Sequence, residues 1–376
     1  MVSYFPPDRI GGVGEAAAHL HEGLLDVGHD STVLTAGHTK TDPRVLRIAS
    51  SPAGFLLALA HHARSAREYD LIHCHQGDAV LLLLALQLRA STVPVLVSMH
   101  VGYRGMAAAF QPYQIEGHWF ARDAESWRYR HVKARLNDWA GRLVLRLASD
   151  AAFISRSAAV DNLGVEKAAA AEVVYNGLPR LTEGSLPSAL PEPVELLFVG
   201  VAGHRKRVTS LPFVLERVRQ RVPGARLRLI GFELEAEPEL YDFFRGKGLL
   251  DAVVCEGRLR SEEIRPFYRA AKVLLVPSAY EGLPMVILEA FQLGLPCVAT
   301  RVSGHPEVIE DGRNGFLVDL DRPEQMAERC IRILAEPGLR QRLSLAAEET
   351  VRLRFTLEQQ VSEYLALYRR LAAGPS

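Results

Sequence analysis

Two glutamates, Glu281 and Glu289, stand eight positions apart in the stretch Pro277-Ser-Ala-Tyr-Glu-Gly-Leu-Pro-Met-Val-Ile-Leu-Glu-Ala290. The apolar run Val273 to Val276 before it reads as a buried strand, and Pro284 sits where the first helical residue is expected. A helix N-terminus therefore faces the loop. Free N–H groups near Met285 and Val286 would make an anion site at the C-terminal edge of a parallel sheet, where open α/β folds bind ligands. Glu281 lies in the mouth of that site, and Glu289 follows more than a turn into the helix. A carboxylate among Met285, Val286, Ile287, Leu288, Ala290 and Phe291 is costly to bury unless it accepts hydrogen bonds. Sugar hydroxyls are suitable donors. Two solvated glutamates are the competing reading.

A second candidate anion site opens the chain. Gly12, Gly14 and Ala17 match the G-x-G-x-x-A form of the dinucleotide fingerprint. The first glycine should follow its strand directly, yet six residues including Pro6, Pro7 and Asp8 separate Phe5 from Gly12. The second strand also ends Leu34-Thr35-Ala36-Gly37, without the acid that would take ribose hydroxyls. Nicotinamide binding is disfavoured, which leaves phosphate binding at a helix start or a plain helix-entry turn.

His73 and His75 share one strand face with Cys74 on the other, lack a third metal ligand and read as core. Asp319-Leu320-Asp321 has the form of a metal-binding DxD, but it follows a strand and precedes Pro323, so a solvated loop is expected. The three tryptophans, Trp119, Trp127 and Trp139, fall in a segment from Arg104 to Arg146 that holds eight Lys/Arg against four acids. Rings and cations together suit a sugar face, a phosphate or a membrane interface. A helix packed by Trp139 and Leu143 with a solvated basic face explains them equally well.

The elements that must position these residues are legible along the chain. Short β-rich runs alternate with longer helical stretches from end to end, the pattern of βα repeats around parallel sheets. Strands are expected at Met1 to Phe5, Ser31 to Thr35, Leu71 to His75, Val95 to Met99 and Ala151 to Ser155. A second series follows at Val194 to Val199, Arg226 to Ile230, Val253 to Glu256, Val273 to Val276 and Pro296 to Ala299. Between the series, eight of the seventeen residues from Gly177 to Pro193 are Gly, Pro or Ser, which marks a linker. The last helix opens with Thr356 and Gln359 at capping-box spacing.

Composition bounds the answer. A length of 376 residues, 48% of them apolar, predicts two packed domains. Lys+Arg and Asp+Glu balance at 44 each, so no global field would hold nucleic acid. The apolar run Ala79 to Leu86 is too short to span a bilayer and reads as a buried helix. With no basic stretch and apolar core at the N-terminus, a cytoplasmic location is expected, with peripheral contact at the inner membrane face compatible with the basic aromatic segment. Four scattered cysteines without a C-x-x-C pair suit reduced core thiols.

The Glu281 to Glu289 segment, with Gly294-Leu295-Pro296 and Gly304-His-Pro-Glu-Val-Ile-Glu-Asp-Gly-Arg-Asn-Gly315, resembles the retaining GT-B glycosyltransferases of family 4. The resemblance extends to Gly11-Gly12-Val13-Gly14-Glu15, Val97-Ser98-Met99-His100, Ser155, Val174-Tyr175-Asn176-Gly177 and the closing helix with Tyr368-Arg369-Arg370. Only Gly105 to Asn137 is poorly matched. It implies an α/β chain of two Rossmann-like, doubly wound parallel-sheet domains facing across a cleft. These would be 1–178 with 356–376 on the acceptor side, a linker at 179–193, and 194–355 binding the nucleotide-sugar. The first strand begins at Met1, later than in similar proteins, which leaves an upstream start open.

By that resemblance Glu289 would hold ribose hydroxyls and Glu281 would bond the transferred sugar near the reacting carbon. Backbone amides around Leu283, Met285 and Val286 would meet the diphosphate or sugar hydroxyls, Arg258 and Leu259 would flank the base, and Gly12 would close over the diphosphate. His100 would point into the cleft, and Tyr103, Arg104, Trp119, Arg128 and Arg130 become acceptor-side candidates. The family usually places an arginine where Val201 stands and a lysine several residues on, both aimed at the diphosphate. Here Lys206 or Arg205 can supply the lysine role. Loss of one charge-assisted contact would cost about 1 to 3 kcal/mol unless Arg205 compensates.

The implied reaction is glycosyl transfer with retention from a nucleotide-sugar, UDP favoured, to a hydroxyl of a saccharide, lipid-linked glycan or small natural product. No metal or other cofactor is expected, because helix N–H groups and cations would neutralise the leaving diphosphate. A GT-B sugar epimerase or phosphorylase, or a catalytically weak nucleotide-sugar-binding protein, are the alternatives.

Overall fold

The structure is a computed structural model that describes residues 1–3, 12–35, 42–49, 52–76, 80–121, 124–181 and 194–374. Most of the linker and the end of the first expected strand therefore lie outside the described residues. By contacts the chain forms two compact units, one of Met1–Gly105, Val132–Arg180 and Phe355–Ser376, the other of Met106–His131 and Leu181–Arg354.

The first unit is built on a parallel sheet of seven strands. Across it run Val45–Arg47, Val33–Thr35, Val2–Ser3, Ile72–His75, Val95–Met99, Asp150–Phe153 and Glu172–Val173. Every residue of Val95–Met99 is buried, as a parallel strand covered on both faces requires. Its alternation sorts the two cores. Val95, Val97 and Met99 join Cys74, Leu82, Leu86, Phe55 and Leu59 on one face. Leu96 joins Leu20, Leu24, Val361, Tyr364 and Leu367 on the other. The run expected as a buried helix is Val80–Leu88, with Leu82, Leu83, Ala85 and Leu86 inside. The closing helix, Leu357–Ala372, packs beside the first helix, Gly12–Asp26. Thr356 caps it by accepting from the Gln359 N–H, but the Gln359 side chain turns to Glu363, so only half of the expected capping box forms.

The second unit carries six parallel strands in the order Val253–Cys255, Leu227–Ile230, Val194–Val199, Ala271–Val276, Cys297–Thr300 and Gly315–Val318. Counted along the chain this order is third, second, first, fourth, fifth, sixth. Connections leave the first strand to one side and the fourth to the other, so a crevice opens between their C-terminal ends. The loops Gly200 to Arg207 and Pro277 to Pro284 begin there. Its core gathers Phe198, Leu211, Val214, Leu229, Val273, Leu275, Ile333 and Leu343 from sheet and helices.

One segment departs from the expected boundary at residue 178. Tyr113–Ile115 and His118–Phe120 form an antiparallel hairpin, and Tyr113, Ile115 and Phe120 bury themselves against Phe213 with Phe243 beside them. Met106–His131 therefore belongs by its contacts to the second unit. No described helix is long and apolar enough to cross a membrane. None of the four cysteines is in a disulfide.

The two helices of the first unit meet at Gly23, where an added Cβ would stand 2.6 Å from Val361 Cγ2 and 3.2 Å from Leu357 Cγ. Alanine gains about 1 kcal/mol of helix propensity there, but overpacking costs about 1 to 3 kcal/mol. Gly23→Ala is expected to lower the urea midpoint, whereas Gly246→Ala, whose Cβ would meet nothing within 4 Å, leaves it unchanged or raises it.

Candidate functional site

In the second unit the crevice is lined by charge. Gly200 ends the first strand at φ +153°, a conformation that disfavours other residues, and the Lys206 side chain passes over it, its Cε 3.4 Å from where a Cβ would be. Two hydrogen bonds tie this loop to the next: Ala279 N–H donates to the Arg205 carbonyl at 2.8 Å, and Arg205 Nη1 donates to the Tyr280 carbonyl at 3.0 Å. The tie delivers both cations to Glu281. Arg205 Nη1 lies 2.9 Å and Lys206 Nζ 2.7 Å from Glu281 Oε1. The lysine and glutamate side chains are only 11% and 12% exposed. Burial opposes ionisation of Glu281, but the two cations outweigh it and hold the carboxyl well below the usual carboxylate range. Burial likewise lowers the Lys206 ammonium, while Glu281 works to keep it charged.

Glu281 is also fixed through its backbone. Gly304 N–H donates to the Glu281 carbonyl at 3.1 Å, and a Cβ on Gly304 would collide with the Gly282 carbonyl. The next residue, His305, is fully buried and donates from Nδ1 to the Thr300 carbonyl at 2.7 Å. Its Nε2 is left as an unprotonated nitrogen with no hydrogen-bond partner among the described residues. Burial lowers the His305 pKa against the pull of Glu281, so the ring beside the triad is neutral. The sequence carries no sign of this role for His305, because Glu281, 24 residues earlier, becomes its neighbour only through the fold.

The helix after the loop runs Met285–Gln292, one residue later than expected, with Pro284 as its N-cap and no side-chain cap. The N–H groups of Met285 and Val286 have no acceptor within the helix, and Leu283 and Met285 are buried beside the triad loop. Glu289 is half-buried and accepts a hydrogen bond from Tyr268 Oη at 2.7 Å, which the sequence did not reveal. Arg258 is exposed and Leu259 half-buried in the loop after Val253–Cys255. Val201 is 44% exposed, and the cationic role falls to Arg205 and Lys206 together.

Arg207, the third base of this loop, turns away from Glu281. Its backbone is left-handed at φ +51°, Nε pairs with Asp321 Oδ1 at 2.9 Å, and Nη1 donates to the Ala109 carbonyl at 2.8 Å. Its guanidinium lies 3.4 Å from the Tyr113 ring centroid. This corrects the solvated-loop reading of Asp319-Leu320-Asp321: Asp319 bonds Gln325, but Asp321 is occupied by a buried arginine. No group of three or more metal-ligating side chains occurs among the described residues.

In the first unit, His100 follows Val95–Met99 and is buried. Its Nε2 lies 2.9 Å from His75 Nδ1, and its backbone N–H donates to Gln76 Oε1 at 2.7 Å. Burial pushes the His100 pKa down to about 4. His73 is buried, as expected of a core residue, and there it bonds Tyr368 Oη and Ser98 Oγ, each at 2.7 Å, and stacks on His75. Gly12 is exposed as the first residue of its helix, while Gly14 and Ala17 are buried inside it.

The acceptor-side candidates do not form one patch on one domain. Tyr103 (half-buried) and Arg104 (paired with Asp138) belong to the first unit. Trp119 (exposed on the hairpin), Arg128 (exposed) and Arg130 (bonded to Gln111 at 3.1 Å) belong to the second.

Comparison with known proteins places this geometry. The family described as "Glycosyltransferase Family 4" matches residues 10–179, and "Glycosyl transferases group 1" matches residues 193–336. The chain belongs to the GT-B glycosyltransferases of family 4. D-inositol 3-phosphate glycosyltransferase of Nocardiopsis dassonvillei is 33% identical over 195 residues, 49% of this chain and 45% of that protein, so the match spans less than half of that relative. Glycogen synthase of Mycobacterium tuberculosis is 26% identical over 394 residues, 93% of this chain and 89% of that protein. Among solved structures, Anabaena HepE in complex with UDP-glucose superposes with a TM-score of 0.75 at 19% identity, covering 97% of this chain and 98% of that chain. The two-unit parallel-sheet architecture is that of this GT-B family.

Removing the Glu281 charge would leave the buried Lys206 and the half-buried Arg205 without their partner. Glu281→Gln is expected to destabilise the fold by about 3 kcal/mol in urea titrations. The depressed Glu281 pKa adds stability that is present above its ordinary value of 4.5 and lost as pH falls toward the folded value. Wild type should therefore lose more stability than Glu281→Gln on acidification below 4.5, and parallel acid profiles would refute the pairing.

Proposed function

We propose that the second unit binds a nucleotide-sugar, with UDP-sugars preferred, and that the protein transfers the sugar with retention to a hydroxyl acceptor without a metal. The observation that carries this reading is the triad of Arg205, Lys206 and Glu281 at the sheet crevice, beside an uncapped helix N-terminus. Two cations converge on the one Glu281 oxygen, and the helix N-terminus adds its own positive partial charge. A departing diphosphate would be neutralised there. Glu281 supplies an ionised acceptor for sugar hydroxyls, and Glu289, oriented by Tyr268, supplies carboxyl oxygens four residues into the helix for the ribose. The HepE structure holds UDP-glucose on the same fold, which supports the choice of UDP.

In this reading His100 meets the sugar or acceptor, and the leaving phosphate helps deprotonate the acceptor hydroxyl. Retention follows a front-face path through an oxocarbenium-like state. A catalytically weak binding protein, suggested by Val201, is less well supported because Arg205 joins Lys206 on the same carboxylate.

Single-turnover assays with UDP-, GDP- and ADP-sugars, with and without EDTA, test the reading. Hydrolysis or transfer from a UDP-sugar, unaffected by the chelator and with the donor's anomeric configuration kept in the product by NMR, is expected. Glu289→Gln should weaken donor binding by about 10-fold to 100-fold, the worth of a charged hydrogen bond. Binding without turnover across acceptors would instead favour the weak-binder reading.

A further inference from the structure

His75 and His100 share one hydrogen bond, 2.9 Å from His75 Nδ1 to His100 Nε2, and its direction follows from what surrounds it. Both rings are buried, and burial lowers both pKa values, so each ring carries a single proton. Two arrangements remain. If His100 Nε2–H donates, His75 Nδ1 accepts and the His75 proton must sit on Nε2. That nitrogen is buried and has no partner among the described residues. If His75 Nδ1–H donates, His75 Nε2 becomes an unprotonated acceptor without a partner, and His100 must carry its proton on Nδ1. An orphaned buried N–H is the rarer and costlier defect, and His75 Nε2 is one of the buried side-chain atoms left without a partner whereas His100 Nδ1 is not. His73 does not relieve it, since both of its nitrogens are engaged by Tyr368 and Ser98.

We infer that His75 is a positioning residue that fixes the tautomer of His100, so that His100 meets a substrate as a neutral Nδ1–H donor and not as a general base. The inference rests on the proposed function only in giving His100 a substrate to meet. Gln76 holds the other side of the arrangement: its Oε1 accepts from both the His100 and Val101 N–H groups, at 2.7 and 3.2 Å, which fixes the backbone that carries the ring. With Nε2 occupied as an acceptor and Nδ1 protonated, His100 has no lone pair left for a hydroxyl proton. Deprotonation of the acceptor must then come from elsewhere, and His100 contributes a hydrogen bond to an oxygen.

Long-range proton–nitrogen NMR of the full-length protein labelled with ¹⁵N-histidine tests this without any donor present. At neutral pH the His100 signals, assigned by their loss in His100→Asn, should show Nδ1 protonated and Nε2 bare. A His100 protonated on Nε2 overturns the inference. In His75→Phe the His100 proton should redistribute toward Nε2, whereas His75→Asn, whose amide N–H can occupy the Nδ1 position, should keep it on Nδ1. In turnover, His75→Phe should lower kcat by about tenfold with donor KM nearly unchanged, and His75→Asn should restore most of it. Equal losses in both variants would overturn the positioning role. A protein that transfers no sugar but shows the expected tautomer refutes the proposed function and leaves the tautomer assignment standing.

Discussion

Burying a carboxylate is the constraint on which the second unit turns. Glu281 can stay ionised at the sheet crevice only because Arg205 and Lys206 reach the same oxygen from another loop. That requirement dictates the local backbone. The strand Val194–Val199 must be followed by a residue that tolerates φ +153°, which is Gly200, and the two loops must be laced together by the Ala279–Arg205 and Arg205–Tyr280 hydrogen bonds. Gly304 must also be bare to let the Glu281 to Gly282 backbone pack against it. A buried ion group of this kind adds little net stability, because desolvation consumes most of the Coulombic gain. Its placement at a crevice beside an uncapped helix N-terminus is more readily explained by what it would bind than by what it stabilises.

The first unit solves the polar-burial problem in the opposite way. His73, His75 and His100 are kept neutral by burial; both His73 nitrogens bond Tyr368 and Ser98, and His75 Nδ1 bonds His100 Nε2. Ser98 in turn bonds Tyr364 at 2.7 Å, so the closing helix contributes two phenols to a network rooted in the sheet. The helix is thus held by apolar packing of Val361 and Leu367 and registered by directional bonds. A neutral network of this sort transmits orientation rather than charge. A histidine in it is suited to presenting one defined N–H, whereas the triad of the second unit is suited to holding an anion.

How much of this was legible depends on sequence distance. The Glu281 to Glu289 segment could be read directly because strand, loop, helix start and carboxylates are all local, and only the Pro284 boundary moved by one residue. That His73 and His75 share a face followed from strand alternation. The partnership with His100 did not, because it needs the register in which His75 stands opposite Ser98 on the neighbouring strand. The pairing of Arg205 with Glu281 and of Tyr268 with Glu289 spans many residues and two or more elements, which no local pattern encodes. Met106–His131 misled for a related reason. Its three-residue strands are too short to show which core they serve, and contiguity with the first unit suggested the wrong one until Phe213 and Phe243 supplied the partner surface.

That segment also explains an otherwise costly feature of the triad loop. Arg207 is a non-glycine residue held at φ +51°, a conformation that L-residues adopt at some expense. The expense is offset by Asp321, the Ala109 and His204 carbonyls and the Tyr113 ring, which together engage the guanidinium on every side. Tyr113 is itself anchored by a 2.7 Å hydrogen bond to Thr209, two residues beyond Arg207. The left-handed turn sends Arg207 one way and leaves Lys206 and Arg205 facing Glu281. A loop carrying three consecutive cations would otherwise repel itself or solvate all three. Committing one of them to the hairpin and to the aspartate of the false DxD is what allows the other two to converge on a single carboxylate.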